Sequence, residues 1–239
     1  MSDNHALGIL IQNQKDIEGI DSSALWDGFL LARSKTLEVM EVIKGELKEG
    51  LSENEARLLS LNIFSDYGVK KHWHRPYIRF GEGTLFSFQD PISENVLKVN
   101  DPYHFDLGPV WPAAKLGIDS EVEYESDYGD TFIFGKNEEA EKMIKSLHEA
   151  FLVTKNEWAV NKLTGIDIYL RFKKEVESRR YIFVDNVDGH RISEFPHHKY
   201  TKDRLSKIRF VPSASLWILE AMIHHPKLKM GAFFEDIMH

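Results

Sequence analysis

The sequence predicts an α+β fold. Three observations carry the prediction: two amphipathic helical stretches open the chain, alternating strand-like segments follow, and the same succession returns in the second half. At 239 residues the chain can bury one sizeable core. No low-complexity linker divides it, so residues 1–239 read as a single domain, with 1–21 as an N-terminal arm or strand. The order two helices then strands, twice over, points to duplication of a helix-helix-strand unit, although no internal repeat marks it.

Taken in order, Ser22-Ser23 is placed to cap a helix from Ala24 toward Leu47, whose apolar Leu25, Phe29, Leu30, Leu37, Val39, Met40 and Ile43 recur at helical spacing. Gly50 stops it. Ser52 and Glu55 form a capping box that starts a second helix ending near Gly68. Residues 76–81 and 84–88 then alternate as strands, with Gly81-Glu82-Gly83-Thr84 as the hairpin turn between them. Residues 103–107 and 130–135 are further strands, and Pro109-Val110-Trp111-Pro112 reads as a loop. Helical periodicity covers Glu138 to about Val160 and Ile166 to Val176. The last third is strand-like at 181–184, 208–211, 217–223 and 231–237.

Composition narrows the function. A formal charge of -8 offers no electrostatic footprint for nucleic acid or an anionic membrane. The basic cluster from Lys202 to Arg209 is interrupted and reads as a solvated face. With no cysteine, disulfides, thiolate nucleophiles and cysteine-ligated zinc are excluded. The start at Ser2-Asp3-Asn4-His5 lacks the basic opening of a signal peptide, and runs such as Leu7 to Ile11 are too short to span a bilayer. A cytoplasmic protein is the expectation.

Five acid or imidazole side chains are set within or beside apolar, strand-like residues. They are Asp106 in Phe105-Asp106-Leu107-Gly108, Asp127 in Ser126-Asp127-Tyr128-Gly129, His190 after Gly189, Glu220 in Trp217-Ile218-Leu219-Glu220, and Glu235 in Phe233-Phe234-Glu235-Asp236. An uncompensated charge there is heavily penalised or stays protonated. Four carboxylates and one imidazole suit two divalent metal ions if two of the acids bridge, and the imidazole shifts preference toward manganese, iron, cobalt or zinc. Read singly, Asp106 could open a turn, Glu220 could lie on an edge strand's polar face, and His190 could be a solvated loop residue. Spacing alone defines no metal site; order and local context together point to one.

Those contexts resemble the pita-bread metallopeptidases (family M24), which include methionine aminopeptidase, aminopeptidase P, prolidase and creatinase. The family pattern of Asp-x-Gly, Ser-Asp-x-x-x-Thr-Phe, Gly-His, a strand Glu and Gly-x-x-x-Glu-Asp falls on Asp106 to Gly108, Ser126 to Phe132, Gly189-His190, Glu220 and Gly231 to Asp236. The resemblance implies the pita-bread fold, with pseudo-duplicated helix-helix-strand halves around a curved antiparallel sheet. It implies that Asp106 chelates one ion, Asp127 and Glu235 bridge both, and His190 and Glu220 complete the second. Glu220 would also handle the proton of a nucleophilic hydroxide shared by the ions. His197, seven residues after His190, would contact the substrate carbonyl, with His198 as the fallback in that role. The substrate is then a small peptide or amide, an Xaa-Pro-type aminopeptidase or dipeptidase reaction is the first reading, and a homodimer is possible for the family. A creatinase-like C–N hydrolase and a binding domain without catalysis are the alternatives.

The chain departs from the pattern in several places. Gly-His-Gly-Ile-Gly is here Gly189-His190-Arg191-Ile192-Ser193, and Asp130 precedes the threonine, bringing negative charge beside the metals. The histidine expected shortly before the Asp-x-Gly strand is absent from 85–90, and His72 or His74 could replace it as a substrate contact. Tyr128, Trp111 and Phe132 could line an apolar pocket, although core packing explains them as well. His224-His225-Pro226 reads as a turn between the last two strands. There is no nucleophile elbow, phosphate loop or dinucleotide fingerprint.

Overall fold

The computed structural model describes residues 16–20, 24–185 and 187–239. Most of the expected arm over 1–21, and the Ser22-Ser23 cap, lie outside the described residues; residues 16–18 are helical. Helix α1 (Asp27–Glu46) buries Phe29, Ala32, Thr36, Val39, Met40 and Ile43 on one face. Helix α2 (Glu53–Asp66) begins at the expected capping box, Ser52 accepting from Glu55 N–H while the Glu55 carboxylate accepts from Ser52 N–H. In the second half, α3 (Glu138–Asn161) is capped by Asn137, with Glu138, Glu139 and Glu141 in its first turn, where acids suit the helix dipole. Thr164 caps α4 (Gly165–Ser178).

Among the described residues nine strands form two antiparallel sheets. In chain order they are β1 (Lys71–His72), β2 (Tyr77–Phe80), β3 (Pro102–Leu107), β4 (Pro109–Pro112), β5 (Glu123–Glu125), β6 (Tyr128–Ile133), β7 (Ile182–Phe183), β8 (Ile218–His224) and β9 (Gly231–Ile237). The large sheet runs β2-β3-β6-β9-β8-β7 and the small one β1-β4-β5. Alternation along the large sheet separates two faces. Phe105, Leu219, Ala221 and Phe234 enter the main core beneath the helices, where Phe234 meets Phe151 of α3 with ring centroids 4.8 Å apart. The opposite face carries Asp106, Glu220 and Glu235, above a small apolar floor of Val187, Met222 and Phe233. Glu220 is therefore on an interior strand, not an edge.

Three segments differ from the sequence expectation. Residues 81–85 form a 3-10 helix, not a hairpin turn into a strand at 84–88. The cause is Arg79, fully buried, which donates to the carbonyls of Ser87, Asp90 and Pro91 and so takes acceptors that a strand ladder would need. The expected strand at 208–211 is irregular because the carbonyls of Ile208 and Phe210 accept from Ile166 and Gly165, satisfying the open N–H groups at the start of α4. Conversely Pro109–Pro112, expected as a loop, is a strand, since β1 and β5 pair with it from either side.

The N-terminal segment is tied to the far end of the chain. The Glu18 carboxylate accepts from Ser213 N–H at 2.7 Å, Ser213 Oγ at 2.9 Å and Trp217 Nε1 at 2.8 Å. Arg191, also buried, donates to the Gly19 carbonyl. Among the described residues no helix is long and apolar enough to cross a membrane.

Glu53 and Arg79 form a buried ion pair, and Glu53 also accepts from Phe80 N–H at 3.0 Å and Ser93 N–H at 3.1 Å. Replacing Arg79 by methionine strands a buried carboxylate and should cost about 3–5 kcal/mol, while adding Glu53→Gln to it should recover part of that loss. Urea unfolding of the wild type, both single variants and the double variant measures this.

Candidate metal centre

The register of the large sheet builds the site. Asp106 on β3 pairs with Gly129 on β6, Gly129 pairs with Glu235 on β9, and Glu235 pairs with Glu220 on β8. Three carboxylates from three strands thus stand in one row. The position between Asp106 and Glu235 is a glycine because there is no room for more: a Cβ on Gly129 would lie 2.4 Å from Phe233 Cε1 and 2.9 Å from Glu235 Oε1. Asp127, just before β6, brings a fourth carboxylate over the row, and all four are buried.

Two histidines flank Asp127. His190 Nε2 is 2.8 Å from Asp127 Oδ2. His74 Nε2 is 3.4 Å from Asp127 Oδ1 and 3.2 Å from Asp106 Oδ1. Each ring donates its Nδ1–H to the carbonyl of the next residue, His74 to Arg75 at 2.7 Å and His190 to Arg191 at 3.2 Å. Because a carbonyl only accepts, both rings turn Nε2 toward the carboxylates, the orientation of a metal-binding imidazole with its outer nitrogen fixed. Ligand atoms of His74, Asp106 and Asp127 lie within 4.8 Å of one another, and so do those of Asp127, His190 and Glu235. Asp127 is common to both groups.

The electrostatics follow from crowding. Burial and its carboxylate neighbours push Glu235 well above the usual range, and burial lifts Glu220 to about 8 and Asp106 to about 6. Asp127 is held at about 2 against its burial, because His190 and His74 both bond to it. Those histidines are in turn raised to about 9, the Asp127 and Asp106 carboxylates outweighing the burial that would lower them. Protons on the imidazoles and acids occupy this cluster where cations would otherwise be drawn. Glu235 Oε1 is buried with no hydrogen-bond partner, and this orphaned oxygen fits the cluster to a divalent cation. A set of carboxylates with imidazole nitrogen suits manganese, iron, cobalt or zinc.

A pocket of about 310 Å³ opens over the row. The five acid and imidazole residues read from the sequence as ligands line it, Asp106, Asp127, His190, Glu220 and Glu235, and so do His74, His197 and His198. His74, not His72, is the upstream histidine that reaches the site; His72 packs edge-on to Phe64, 5.3 Å between centroids. Asp130, expected beside the metals, points to the other face of β6, where its carboxylate is 2.7 Å from His148 Nε2. Trp111 and Tyr128 are core residues, and Phe132 lies outside the pocket. The aromatic walls are instead Trp73, Tyr77 and Phe88, which no motif marked. Lys202 and Arg204, read from sequence as part of a solvated face, stand at the pocket, Arg204 lying 3.4 Å from Asp188.

A sheet row of carboxylates, flanked by imidazoles and opening into a pocket, on this α+β architecture is the arrangement the pita-bread resemblance implies. The model of metallopeptidase family M24 matches residues 29–239, and the chain belongs to that family. Solved structures agree on the fold at low identity. A prolidase from Thermococcus sibiricus superposes with a TM-score of 0.73 at 17% identity, over 94% of this chain and 58% of its own. An X-Pro aminopeptidase from Thermotoga maritima gives 0.72 at 14%, over 95% and 60%. A methionine aminopeptidase from Rickettsia prowazekii gives 0.58 at 12%, over 90% and 92%. The chain thus spans about three fifths of the length of the first two. No curated protein sequence matches it.

Two tests follow from the geometry. Burial raises Glu220 to about 8 and, with its carboxylate neighbours, moves Glu235 in the same direction, so above pH 4.5 the folded protein should retain protons on these acids that the unfolded chain has released; between 6.5 and 9 it should do so on His74 and His190. Folded-state values above unfolded ones mean stability that is present at low pH and lost as pH rises. Below about pH 6.5 His72, His104 and His197, whose values burial lowers, act in the opposite sense. From there to about pH 9 the metal-free protein should lose melting temperature, and a divalent ion should reverse the trend, since its ligands must deprotonate. Thermal melts across that range, with chelator and with manganese, decide it. Separately, Gly129→Ala should displace Glu235 at a cost of about 1–3 kcal/mol, weakening metal binding while the far-ultraviolet circular dichroism stays native.

Proposed function

We propose that the chain is a dinuclear metal-dependent hydrolase acting on short peptides, most suited to Xaa-Pro substrates as an aminopeptidase or dipeptidase. The observation that carries this reading is the sharing of Asp127 between two candidate ligand groups, which is what a pair of adjacent ions needs. In this reading Asp127 and Glu235 would be shared between the two ions, Asp106 would help hold one, and His190 with Glu220 would help hold the other. Two such ions would supply a polarised water and Lewis-acid activation of the scissile carbonyl.

The protein's own groups do the rest. Glu220, buried at the pocket and deprotonated when it holds an ion, would be placed to take a proton from water and return it to the departing nitrogen. His74, His197 and His198 surround the space the substrate would fill. Trp73, Tyr77 and Phe88 offer apolar walls to a small side chain or a proline ring. We take residues 1–239 to act as one catalytic domain.

Protein purified without chelator should carry two divalent ions per chain by elemental analysis and cleave Xaa-Pro dipeptides when supplied with manganese or cobalt. Asp127→Ala should lose metal and at least about 100-fold in activity. Less than one ion per chain, or unaltered metal content in Asp127→Ala, overturns the site. Bound metal with every dipeptide left intact overturns the peptidase reading, and turnover of a creatine-type C–N substrate would replace it.

A further inference from the structure

The two halves of the fold meet at the seam between β6 and β9, and the candidate ligands lie on either side of it. His74, Asp106 and Asp127 come from the first half; His190, Glu220 and Glu235 come from the second. Elsewhere the large sheet is laddered along its strands: β3 pairs with β6 from Pro102 to Leu107, and β8 with β9 from Ile218 to His224. Across the seam, among the described residues, the ladder is one pair, Gly129 with Glu235. A junction so sparsely paired needs other bonds to hold its register.

Side chains supply them. In the register set by that pair Thr131 faces Phe233, and the Thr131 hydroxyl serves both backbone groups of Phe233. It donates to the carbonyl at 2.8 Å and accepts from the N–H at 2.7 Å. Both residues are buried, so neither backbone group has water to turn to. On the opposite face each half reaches across to an aspartate of the other. Arg33 of α1 grips Asp236 of β9 with two hydrogen bonds, at 2.5 and 2.6 Å, while its guanidinium lies 5.6 Å from the centre of the Tyr128 ring of β6. His148 of α3 holds Asp130 of β6 at 2.7 Å through Nε2, and its ring packs edge-on against Phe234 of β9, 4.5 Å between centroids. Asp236 follows Glu235 in the chain, and Tyr128 follows Asp127. The crossing is reciprocal, and it brackets the one backbone pair from both ends.

We propose that Thr131, Arg33 and His148 are positioning residues that clamp the two halves together and so set the separation of Asp127 from Glu235. One candidate ligand group, His74, Asp106 and Asp127, lies wholly in the first half; the other, Asp127, His190 and Glu235, has members on both sides of the seam. A loosened seam therefore disturbs the second group and leaves the first intact. Only this consequence for two ions rests on the dinuclear reading; the clamp itself belongs to the metal-free protein.

Hydrogen exchange in the metal-free protein, read by NMR at the Phe233 amide, tests the clamp. Thr131→Val should speed that exchange about tenfold or more through loss of the hydroxyl, and Thr131→Ser, which keeps it, should stay within about threefold. The Phe172 amide in α4, away from the seam, should not change. Manganese titrated into chelator-treated protein then reads the site. In Thr131→Val one ion should bind about tenfold more weakly while the other stays within about threefold, and Thr131→Ser should restore the first. His148→Ala, which alters a side chain at the surface, should move both readouts the same way by about threefold, and it decides the matter if Thr131→Val does not fold. Unchanged exchange at Phe233, or equal weakening of both ions, overturns the proposal. Fewer than two ions on the wild type sinks the dinuclear reading instead, and the exchange comparison still decides the clamp.

Discussion

Everything in this molecule is arranged around a repulsion. Four carboxylates converge on one face of the large sheet, buried, with Asp127 facing the row formed by Asp106, Glu235 and Glu220. Nothing in such a cluster is stable without positive charge among the oxygens, supplied by protons or by cations. The sheet makes the convergence unavoidable, because register puts the three strand acids side by side and the pleat turns them the same way. A one-residue slip of β9 against β8 would exchange Glu235 for Phe234 or Asp236 and send the site into the core. Gly129 is the concession that makes the spacing possible, leaving its place in the row to its neighbours' side chains.

The second layer of the design orients what the sheet cannot. His74 and His190 come from irregular segments on either side of Asp127, and each is aimed by a backbone carbonyl one residue away. That asymmetry of charge, imidazoles on Asp127 and carboxylates beside Glu235, drives two acids of the same cluster in opposite directions, Asp127 down and Glu235 up. The least and the most easily protonated acids therefore lie side by side. A site of this kind has both a permanently ionised ligand and a reservoir of protons at neutral pH.

Much of this was legible in the residues alone. Asp106, Asp127, Glu220 and Glu235 stood out because strand alternation leaves no neutral place for them, and the helices announced themselves through Ser52, Glu55 and a 3.6-residue apolar period. What escaped did so because its cause lies far away in the chain. Residues 84–88 alternate like a strand, yet their carbonyl partners include a guanidinium anchored to α2 through Glu53. Residues 208–211 look like a strand and instead serve the open end of α4. Asp130 sits one residue from Gly129, and that single step carries it to the other face. Glu125 and His197 are 72 positions apart, and no local signal relates them. Local pattern identifies the ligands; long-range pairing decides their neighbours.

The tie between residues 16–20 and the body of the fold has a mechanical meaning. Glu18 grips Trp217 at the base of β8, the strand of Glu220, while Arg191 holds the Gly19 carbonyl from the position next to His190. A pull on this short segment is thus delivered to two of the site's side chains at once, through one carboxylate and one guanidinium. Residues 16–20 are thus joined, by one carboxylate and one guanidinium, to the chain beside two of the pocket's side chains.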